Sequence, residues 1–307
     1  MSRPSGPAAS SPGVDPGPGT GGARQKRRGE LVLRILSSLA LGPLTLVILW
    51  FGGPAFTVLI ALVGVLVWCE WITMVAAGRD RVLLGGGAAV LVAALAAVLA
   101  AKPFAAAGLL VAGALAVALL TGRQSGAIAR RAHAAGRPSR RTATRMLLAA
   151  AGVFYAALPA ISLVVLRGES YGRVATFLLM LVVWTTDIAA YAGGRAIGGP
   201  RLWRAVSPNK TWSGALSGVF GAVLMALGVA AAAGLPAGLA VAAIGAVLSV
   251  GSQIGDLIES AAKRALGVKD SGNLLPGHGG FLDRVDGLMA AAVLALVLSL
   301  PALLQHL

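Results

Sequence analysis

The chain alternates between long runs of apolar residues and shorter polar segments. Nine of the runs approach the length of about 20 residues that a helix needs to cross a bilayer. They are residues 31–51, 54–77, 82–101, 103–121, 146–166, 174–194, 213–233, 236–255 and 288–306. Within them apolar and polar residues do not alternate as they do in the strands of a membrane barrel. The pattern therefore predicts an all-α fold, a polytopic integral membrane protein with about nine transmembrane helices.

Composition supports this fold class and narrows the possible partners. Hydrophobic residues make up 57% of the chain and charged residues 12%, with a mean hydropathy of +0.83, which excludes a soluble globular protein. The net charge of +15 could indicate a nucleic-acid partner. However, long apolar runs separate the basic residues, so they do not form one basic face. We expect a lipid bilayer as the partner and no nucleic acid.

The polar segments divide the chain into three regions. Residues 1–30 are rich in Pro, Gly and Ser and cannot bury a core, which predicts a disordered basic cytoplasmic tail. Residues 31–145 hold the N-terminal transmembrane helices and an arginine-rich cytoplasmic loop. Residues 146–307 hold the polar motifs and form the predicted C-terminal transmembrane catalytic region.

The distribution of Lys and Arg predicts how the helices are oriented. With the N-terminus inside the cell, 22 of the 26 basic residues fall on the inner side. The tail and all the long polar loops then face the cytoplasm, which predicts a multi-pass protein of the inner (plasma) membrane. The loop at 122–145 holds seven arginines and no acid. It is interpreted either as a topology signal lying on anionic lipid or as a phosphate-attracting rim around a cytoplasmic site.

The acidic residues are concentrated where packing alone does not explain them. Five of the eleven acids lie between residues 256 and 287, interleaved with four basic residues. Glu70 and Asp187 lie inside apolar runs, where an ionisable side chain costs about 2.5–3.5 kcal/mol and usually faces a bundle interior or a water-filled cavity. Asp187 stands near the inner end of its helix and is expected to open on the same cytoplasmic cavity as the acidic segment.

The stretch KDSGNLLPGHGGFLDRVDG, residues 269–287, combines groups that suit metal and phosphate. Asp283 and Asp286 are spaced i, i+3 and would share one face if the last helix begins there. Mg²⁺ binds through one or two carboxylates together with substrate phosphates. The PGHGG turn can bring backbone N–H groups close to an anion, and neighbouring cations can balance phosphate charge. The stretch therefore indicates phosphoryl or nucleotidyl transfer, and the alternative is a structural loop held by salt bridges.

A second polar island, SPNKTWSG at residues 207–214, precedes the seventh apolar run. Its Ser and Thr side chains can cap the following helix, and a helix N-terminus favours anions. The chain has no Gly-x4-Gly-Lys-Ser/Thr sequence, so a P-loop nucleotide site is not predicted.

The stretch SAAKRALGVKDSGNLLPGHGGFLDRVD, residues 260–286, resembles the signature of the phosphatidate cytidylyltransferases, the bacterial-type CDP-diacylglycerol synthases. Companion features that also resemble the family are WCEW around Glu70, TDIAAYAGGRAIG from Thr186, SPNKTWSG and GDLIES from Gly255. The likeness covers most of the chain after residue 30. Small departures occur at Ala262, Asn209 and Ser213, and none removes an expected metal or phosphate ligand.

The resemblance implies a reaction in which CTP and phosphatidate give CDP-diacylglycerol and pyrophosphate. It implies Mg²⁺, with a possible second, monovalent cation such as K⁺, and it makes a homodimer plausible. The implied metal ligands are Asp256 and Asp283, with Asp187 and Asp286 nearby. The implied catalytic residues are Asp256, Asp283, Lys263 and His278. The implied substrate and phosphate ligands are Ser207, Asn209, Lys210, Thr211, Ser260, Lys263, Arg264, Lys269, Asp270, Gly279, Gly280 and Arg284.

The role of His278 stays open at the level of sequence. It is interpreted as a residue that orients pyrophosphate or an aspartate, as a proton-transfer group, or as a turn residue bonded to backbone. Since phosphatidate is already largely ionised at pH 7, the reaction requires no general base.

The alternative function is a cation-coupled secondary membrane transporter, in which Glu70 and Asp187 would bind cations or protons. Such a protein is expected to place its polar groups at mid-helix in paired halves of an inverted repeat, and the sequence shows no such symmetry. A CDP-alcohol phosphatidyltransferase would need a different aspartate array, and a structural scaffold would leave the acidic segment unexplained.

Overall fold

A computed structural model describes residues 42–76, 80–134, 142–272 and 279–304. The predicted tail at 1–30 and His278 lie outside the described residues. Within them the chain forms nine apolar helices and one short hairpin. The helices are α1 (Gly42–Phe51), α2 (Gly53–Ala76), α3 (Arg81–Leu99), α4 (Pro103–Ala134), α5 (Thr142–Gly168), α6 (Gly172–Ile197), α7 (Trp212–Ala232), α8 (Leu239–Leu266) and α9 (Asp286–Leu304).

The all-α polytopic fold is confirmed. Seven helices, α2 to α8, contain stretches long and apolar enough to cross a membrane. Two shorter apolar stretches lie at Gly42–Phe51 and Asp286–Ser299. Each of the nine predicted runs corresponds to one helix, and the part of the first run before Gly42 lies outside the described residues.

Two helices continue past the ends that hydropathy predicted. α4 reaches Ala134 and therefore includes part of the arginine-rich loop, and α8 reaches Leu266 instead of ending at residue 255. The extension of α8 is amphipathic, because Ala262 and Leu266 join an apolar core while Asp256 and Lys263 share a polar face. The predicted span ended at residue 255, because it followed the end of the apolar run and not the helical periodicity.

A β-hairpin replaces the predicted loop between α6 and α7. Strand β1 (Arg201–Trp203) pairs antiparallel with β2 (Ser207–Thr211), with Arg201 opposite Thr211 and Trp203 opposite Ser207. The strand β2 leads directly into α7, whose N-cap is Thr211. The hairpin thereby sets the direction in which the SPNKTWSG island faces.

The described helices pack around two apolar clusters. One joins α2, α3, α4 and α5 with side chains near the start of α9, including Trp68, Leu91, Val153, Leu282 and Met289. The other joins α1 and α2 with α5 to α9, including Leu49, Phe56, Leu179, Leu248 and Ala292. α2, α5 and α9 contribute side chains to both clusters.

Small residues allow the helices around the polar groups to approach closely. A Cβ at Gly194 of α6 would lie 2.9 Å from Thr211 Oγ1, and one at Gly214 of α7 would lie 2.7 Å from the Ala190 carbonyl. A Cβ at Gly255 of α8 would lie 2.9 Å from the Asp286 carbonyl. These contacts bring α6 close to α7 and α8 close to α9 beside the acidic residues.

Candidate functional site

The SPNKTWSG island forms β2 and the first turn of α7. Thr211 has an extended backbone conformation, and its side-chain oxygen accepts a hydrogen bond from the Gly214 amide at 3.1 Å. This is an N-cap, as the sequence predicted for the island. The strand and the cap together fix the backbone of Lys210, the residue immediately before Thr211.

Lys210 forms an ion pair with Asp256. Lys210 Nζ lies 2.5 Å from Asp256 Oδ2, and both side chains are partly exposed. Asp256 also accepts a hydrogen bond from Ser260 Oγ, one turn further along α8, at 3.4 Å. The pair therefore brings together the two polar segments that the sequence singled out.

The ion pair lines a cavity of about 470 Å³ between α6, the hairpin, α7 and α8. This volume lies within the usual range for small-molecule sites. Predicted site residues that line it are Asp187, Asn209, Lys210, Thr211 and Asp256. Polar residues that line it without having been predicted are Tyr191, Arg195, Arg201 and Gln253. The cavity thus contains three cations and two carboxylates.

A second charged group lies deeper, where α8 meets the turn before α9. Lys263 Nζ lies 2.6 Å from Glu259 Oε2 and 2.6 Å from Asp283 Oδ1. Glu259 is fully buried, and Asp283 stands in a short 3₁₀ turn, Leu282–Arg284. The second oxygen of Asp283 accepts a hydrogen bond from the Ser271 amide at 3.3 Å.

The surroundings of Asp283 keep it charged. Burial by itself would raise the pKa of Asp283, but hydrogen bonding by Lys263, by Glu259 and by the Ser271 amide holds that pKa below its ordinary value. At neutral pH the side chain is therefore a carboxylate, the form that binds cations.

Gly280 permits the close approach of these groups. A Cβ at residue 280 would overlap Ser271 Oγ and would lie 2.8 Å from Asp283 Oδ2. Gly279 has a φ of +81°, a conformation that favours glycine. Gly280 therefore leaves room for the Asp283 carboxylate beside Ser271, while the predicted approach of backbone N–H groups to a bound anion stays a prediction.

Asp286 faces a different set of neighbours from Asp283. It begins α9, and its Oδ1 accepts a hydrogen bond from the Gly287 amide at 2.8 Å. Burial raises the pKa of Asp286 to about 7, and the charges of Asp256 and Asp187 add to this rise while Lys210 opposes it. The charges that act on Asp286 are therefore those of the cavity, whereas Asp283 is paired with Lys263.

The other predicted residues lie around these two groups. Ser207 opens β2 and is half-buried, while Arg264 donates a hydrogen bond to the Val268 carbonyl at 3.4 Å. Lys269 and Asp270 are exposed in the segment after α8, and Arg284 is exposed in the 3₁₀ turn. These residues are near the predicted site along the chain, but their assigned contacts with phosphate stay predictions.

The predicted metal ligands do not form a ligand cluster of their own among the described residues. Among them, no group of three or more His, Cys, Asp or Glu side chains is arranged to hold a metal ion. Mg²⁺ does not require such a group, because it takes one or two carboxylates and completes its shell with water and phosphate oxygens. Asp256 and Asp283 each already hold a lysine ammonium within 2.6 Å. Because Asp256 lines the cavity and Asp283 is in the second charged group, an ion held by both carboxylates stays a prediction.

Several polar residues of the two groups were not assigned a role from the sequence. Tyr191 and Arg195 follow Asp187 at i+4 and i+8, so helical spacing could have placed them on one face of α6. Glu259 precedes Lys263 by four residues, which is the spacing of a helical ion pair. Arg201 had no comparable signal, because it reaches the cavity through the hairpin.

Comparisons with known proteins agree with the resemblance seen in the motifs. Residues 32–300 match the model of a family described as the cytidylyltransferase family. The chain is 45% identical to a phosphatidate cytidylyltransferase of Brucella suis over 268 residues, 86% of this chain and 92% of that protein. It is also 44% identical to a phosphatidate cytidylyltransferase of Bacillus subtilis over 122 residues, 39% of this chain and 45% of that protein. A relative of the same name from Staphylococcus epidermidis is 46% identical over 110 residues, 36% of this chain and 42% of that protein.

Proposed function

Because the chain belongs to the cytidylyltransferase family, we propose that it transfers the cytidylyl group of CTP to phosphatidate, giving CDP-diacylglycerol and pyrophosphate. Family membership makes it a nucleotidyltransferase, and the names of its relatives support phosphatidate as the acceptor. The observation that carries the proposal is the Lys210–Asp256 ion pair, which lines a cavity together with Arg195 and Arg201. Three basic side chains around a site would repel a cation, so the cavity does not suit a cation transporter.

The charges of the cavity suit two phosphate-bearing substrates. Arg195, Arg201 and Lys210 can each donate charge-assisted hydrogen bonds to phosphate oxygens, and arginine can do so through two parallel bonds. Arg201 Nη1 donates to the Asn209 carbonyl at 3.1 Å, and Asn209 directly precedes Lys210 in β2. We assign these three cations to the phosphates of CTP and phosphatidate.

The proposed reaction joins two anions. An oxygen of the phosphatidate phosphate attacks the α-phosphorus of CTP, the bond to the β-phosphate oxygen breaks, and that oxygen leaves with pyrophosphate. Since the attacking oxygen is already ionised, no proton has to be removed. The protein has to neutralise the negative charge of the two phosphates and to hold the attacking oxygen in line with the bond that breaks. Lys210 and the two arginines do this from the cavity, and Lys263 stands beside Asp283.

The residues proposed to hold Mg²⁺ are Asp256 and Asp283, with Asp187 and Asp286 nearby. When bound, Mg²⁺ would offset phosphate charge and so favour attack at the α-phosphorus. The lysines that now face Asp256 and Asp283 would then be free to contact phosphate oxygens. A second, monovalent cation such as K⁺ stays a prediction, as does a catalytic or orienting role for His278.

The proposed site faces the cytoplasm, where CTP is found, with phosphatidate entering from the inner leaflet. The count of basic residues on each side of the spans supports this orientation. Exposed apolar side chains next to the cavity, such as Ile188 on α6 and Leu216 on α7, suit contact with acyl chains. The homodimer stays a prediction from the resemblance.

The test is transfer of radiolabel from CTP to lipid. The full-length protein in detergent, supplied with labelled CTP, phosphatidate and Mg²⁺, should form lipid-extractable cytidine, and leaving out phosphatidate or Mg²⁺ should abolish it. Asp283→Asn should lower the rate at least about 100-fold. Glu169→Gln, in the turn between α5 and α6, is the matched control and should retain the rate. Absence of labelled lipid from the wild-type protein would refute the proposed function.

A further inference from the structure

Glu70 is an acid in the middle of the apolar sequence of α2, and it has no role in the reaction as proposed so far. Its residue is 4% exposed, and its neighbours Trp68 and Trp71 belong to an apolar core cluster. A buried carboxylate lowers stability unless it is hydrogen-bonded or paired. Its contacts therefore indicate why an acid stands at this position.

Glu70 Oε2 binds two residues of the segment that leads from α8 to α9. It accepts a hydrogen bond from the Leu282 amide at 2.8 Å and another from Ser271 Oγ at 3.1 Å. Leu282 and Ser271 are themselves buried. One carboxylate oxygen thus joins two points of the chain that are more than two hundred residues away from it in the sequence.

Both contacts lead directly to Asp283. Ser271, whose hydroxyl binds Glu70, donates its backbone N–H to Asp283 Oδ2 at 3.3 Å. Leu282, whose amide binds the same oxygen of Glu70, precedes Asp283 in the chain. Gly280 lies next to both groups, and a Cβ at this position would overlap Ser271 Oγ and lie 2.8 Å from Asp283 Oδ2. The position of Asp283 is therefore set from one side by Lys263 and from the other by a network that ends at Glu70.

The helix that carries Glu70 is held firmly on both sides of it. Trp68 Nε1 donates to the Leu84 carbonyl of α3 at 3.1 Å, and Trp71 Nε1 donates to the Leu148 carbonyl of α5 at 2.7 Å. A Cβ at Gly87 or at Gly152 would overlap the indole of Trp68 or of Trp71 respectively. Because each indole fits against a glycine, α2 cannot easily shift, and Glu70 is a fixed point of attachment.

We propose that Glu70 is a positioning residue, which fixes the Asp283 carboxylate in the site by binding Ser271 and the Leu282 amide. It acts through these two residues and does not touch the substrate. The proposal rests on the proposed function insofar as Asp283 serves the reaction, but the contact that it describes can be tested separately. This role connects the buried acid of the WCEW motif with the C-terminal region that holds Asp283.

The experiment combines hydrogen exchange with kinetics on the full-length protein in detergent. Glu70→Ala should speed amide exchange in a peptide covering residues 279–285 and should lower kcat about 10- to 100-fold. The KM for CTP should change little, because the cavity cations are unaltered. Glu70→Gln keeps an acceptor oxygen and should give smaller changes in the same direction. Glu169 lies just beyond the end of α5, about 30 Å along that helix from Leu148, which contacts Trp71. Glu169→Gln should therefore change neither measurement.

The outcomes separate the alternatives. If Glu70→Ala does not fold, Ser271→Ala removes only one of the two bonds and should raise exchange and lower kcat by a smaller factor. Unchanged exchange in the Glu70 variants overturns the proposal whether or not kcat falls, and so does faster exchange with a wild-type kcat. If the wild-type protein forms no labelled lipid, the proposed function fails, while faster exchange at residues 279–285 still supports the attachment by Glu70.

Discussion

Lys210 Nζ lies 2.5 Å from Asp256 Oδ2, and this contact joins the hairpin before α7 to the last turns of α8. The two charges offset each other while both remain partly open to the cavity. A phosphate that enters the cavity can bind Lys210, and a cation can bind Asp256. This arrangement agrees with the proposal that the cavity binds CTP together with a cation.

Replacing Lys210 tests whether this side chain binds phosphate. Lys210→Gln removes one charge-assisted hydrogen bond to phosphate, which contributes about 1.5–3 kcal/mol. We therefore expect the KM for CTP to rise at least about tenfold, since 1.4 kcal/mol corresponds to a factor of ten. Lys102→Gln, in the turn between α3 and α4, is the matched control. A KM equal to that of the wild type would contradict the assignment of Lys210 to phosphate.

The two cavity arginines provide a second prediction. Arg195→Gln and Arg201→Gln should each raise the KM for CTP or for phosphatidate about tenfold or more, because each removes a guanidinium that lines the cavity. Measuring both constants for both variants shows which substrate each arginine serves. Arg204→Gln changes the same residue type in the hairpin turn but outside the cavity lining. An equal effect of all three variants would indicate general electrostatics in place of specific contacts.

Sequence pattern predicted the fold well because hydrophobicity and helix length determine it. Each of the nine runs corresponds to a helix, and Thr211 caps α7 as the island at 207–214 suggested. The position of the acids along α8 was less predictable, since the apolar run ends before Asp256 while the helix continues. Arg201 and Glu70 could not be placed by spacing at all, because the hairpin brings Arg201 to the cavity and tertiary packing brings Glu70 to Leu282.

A methyl group at residue 280 should disturb the site more than the fold. In Gly280→Ala the new Cβ would overlap Ser271 Oγ and press on Asp283 Oδ2, so either the serine or the carboxylate has to move. We expect kcat to fall at least about tenfold, because small displacements of reacting groups are costly to the rate. Gly85→Ala is the matched control, since a Cβ there meets no atom within 4 Å and residue 85 is helical. It should keep its activity and gain about 0.4–1 kcal/mol in stability, measured by thermal unfolding in detergent.

Acidification should reveal the contribution of Asp283 to stability. Its pKa is lowered in the folded protein, so its ionised form contributes stability that is fully present above the unfolded pKa of about 3.9. That contribution is lost as the pH falls through the folded pKa. Asp283→Asn should therefore be less stable than the wild type at pH 7, and the difference should shrink only below about pH 4. Thermal unfolding of both proteins between pH 3 and pH 7 measures this, and a difference that does not vary with pH would contradict it.

The balance of charges around Lys263 leads to a prediction about stability that does not depend on catalysis. Lys263 lies 2.6 Å from both Glu259 and Asp283, so one cation compensates two acids, of which Glu259 is fully buried. Lys263→Met leaves the two carboxylates without their cation and should lower the free energy of unfolding by about 3–5 kcal/mol.

Neutralising the buried acid should reverse part of that loss. Glu259→Gln in the Lys263→Met background removes one of the two acids that have lost their cation, so the double variant should unfold at a higher temperature than Lys263→Met alone. In the wild-type background the same change leaves Lys263 paired with Asp283 and should affect stability less than Lys263→Met does. Double-mutant analysis by thermal unfolding in detergent measures the coupling. If Glu259→Gln lowers the stability of both backgrounds equally, Glu259 and Lys263 are energetically independent, and the ion pair seen at 2.6 Å does not stabilise the fold.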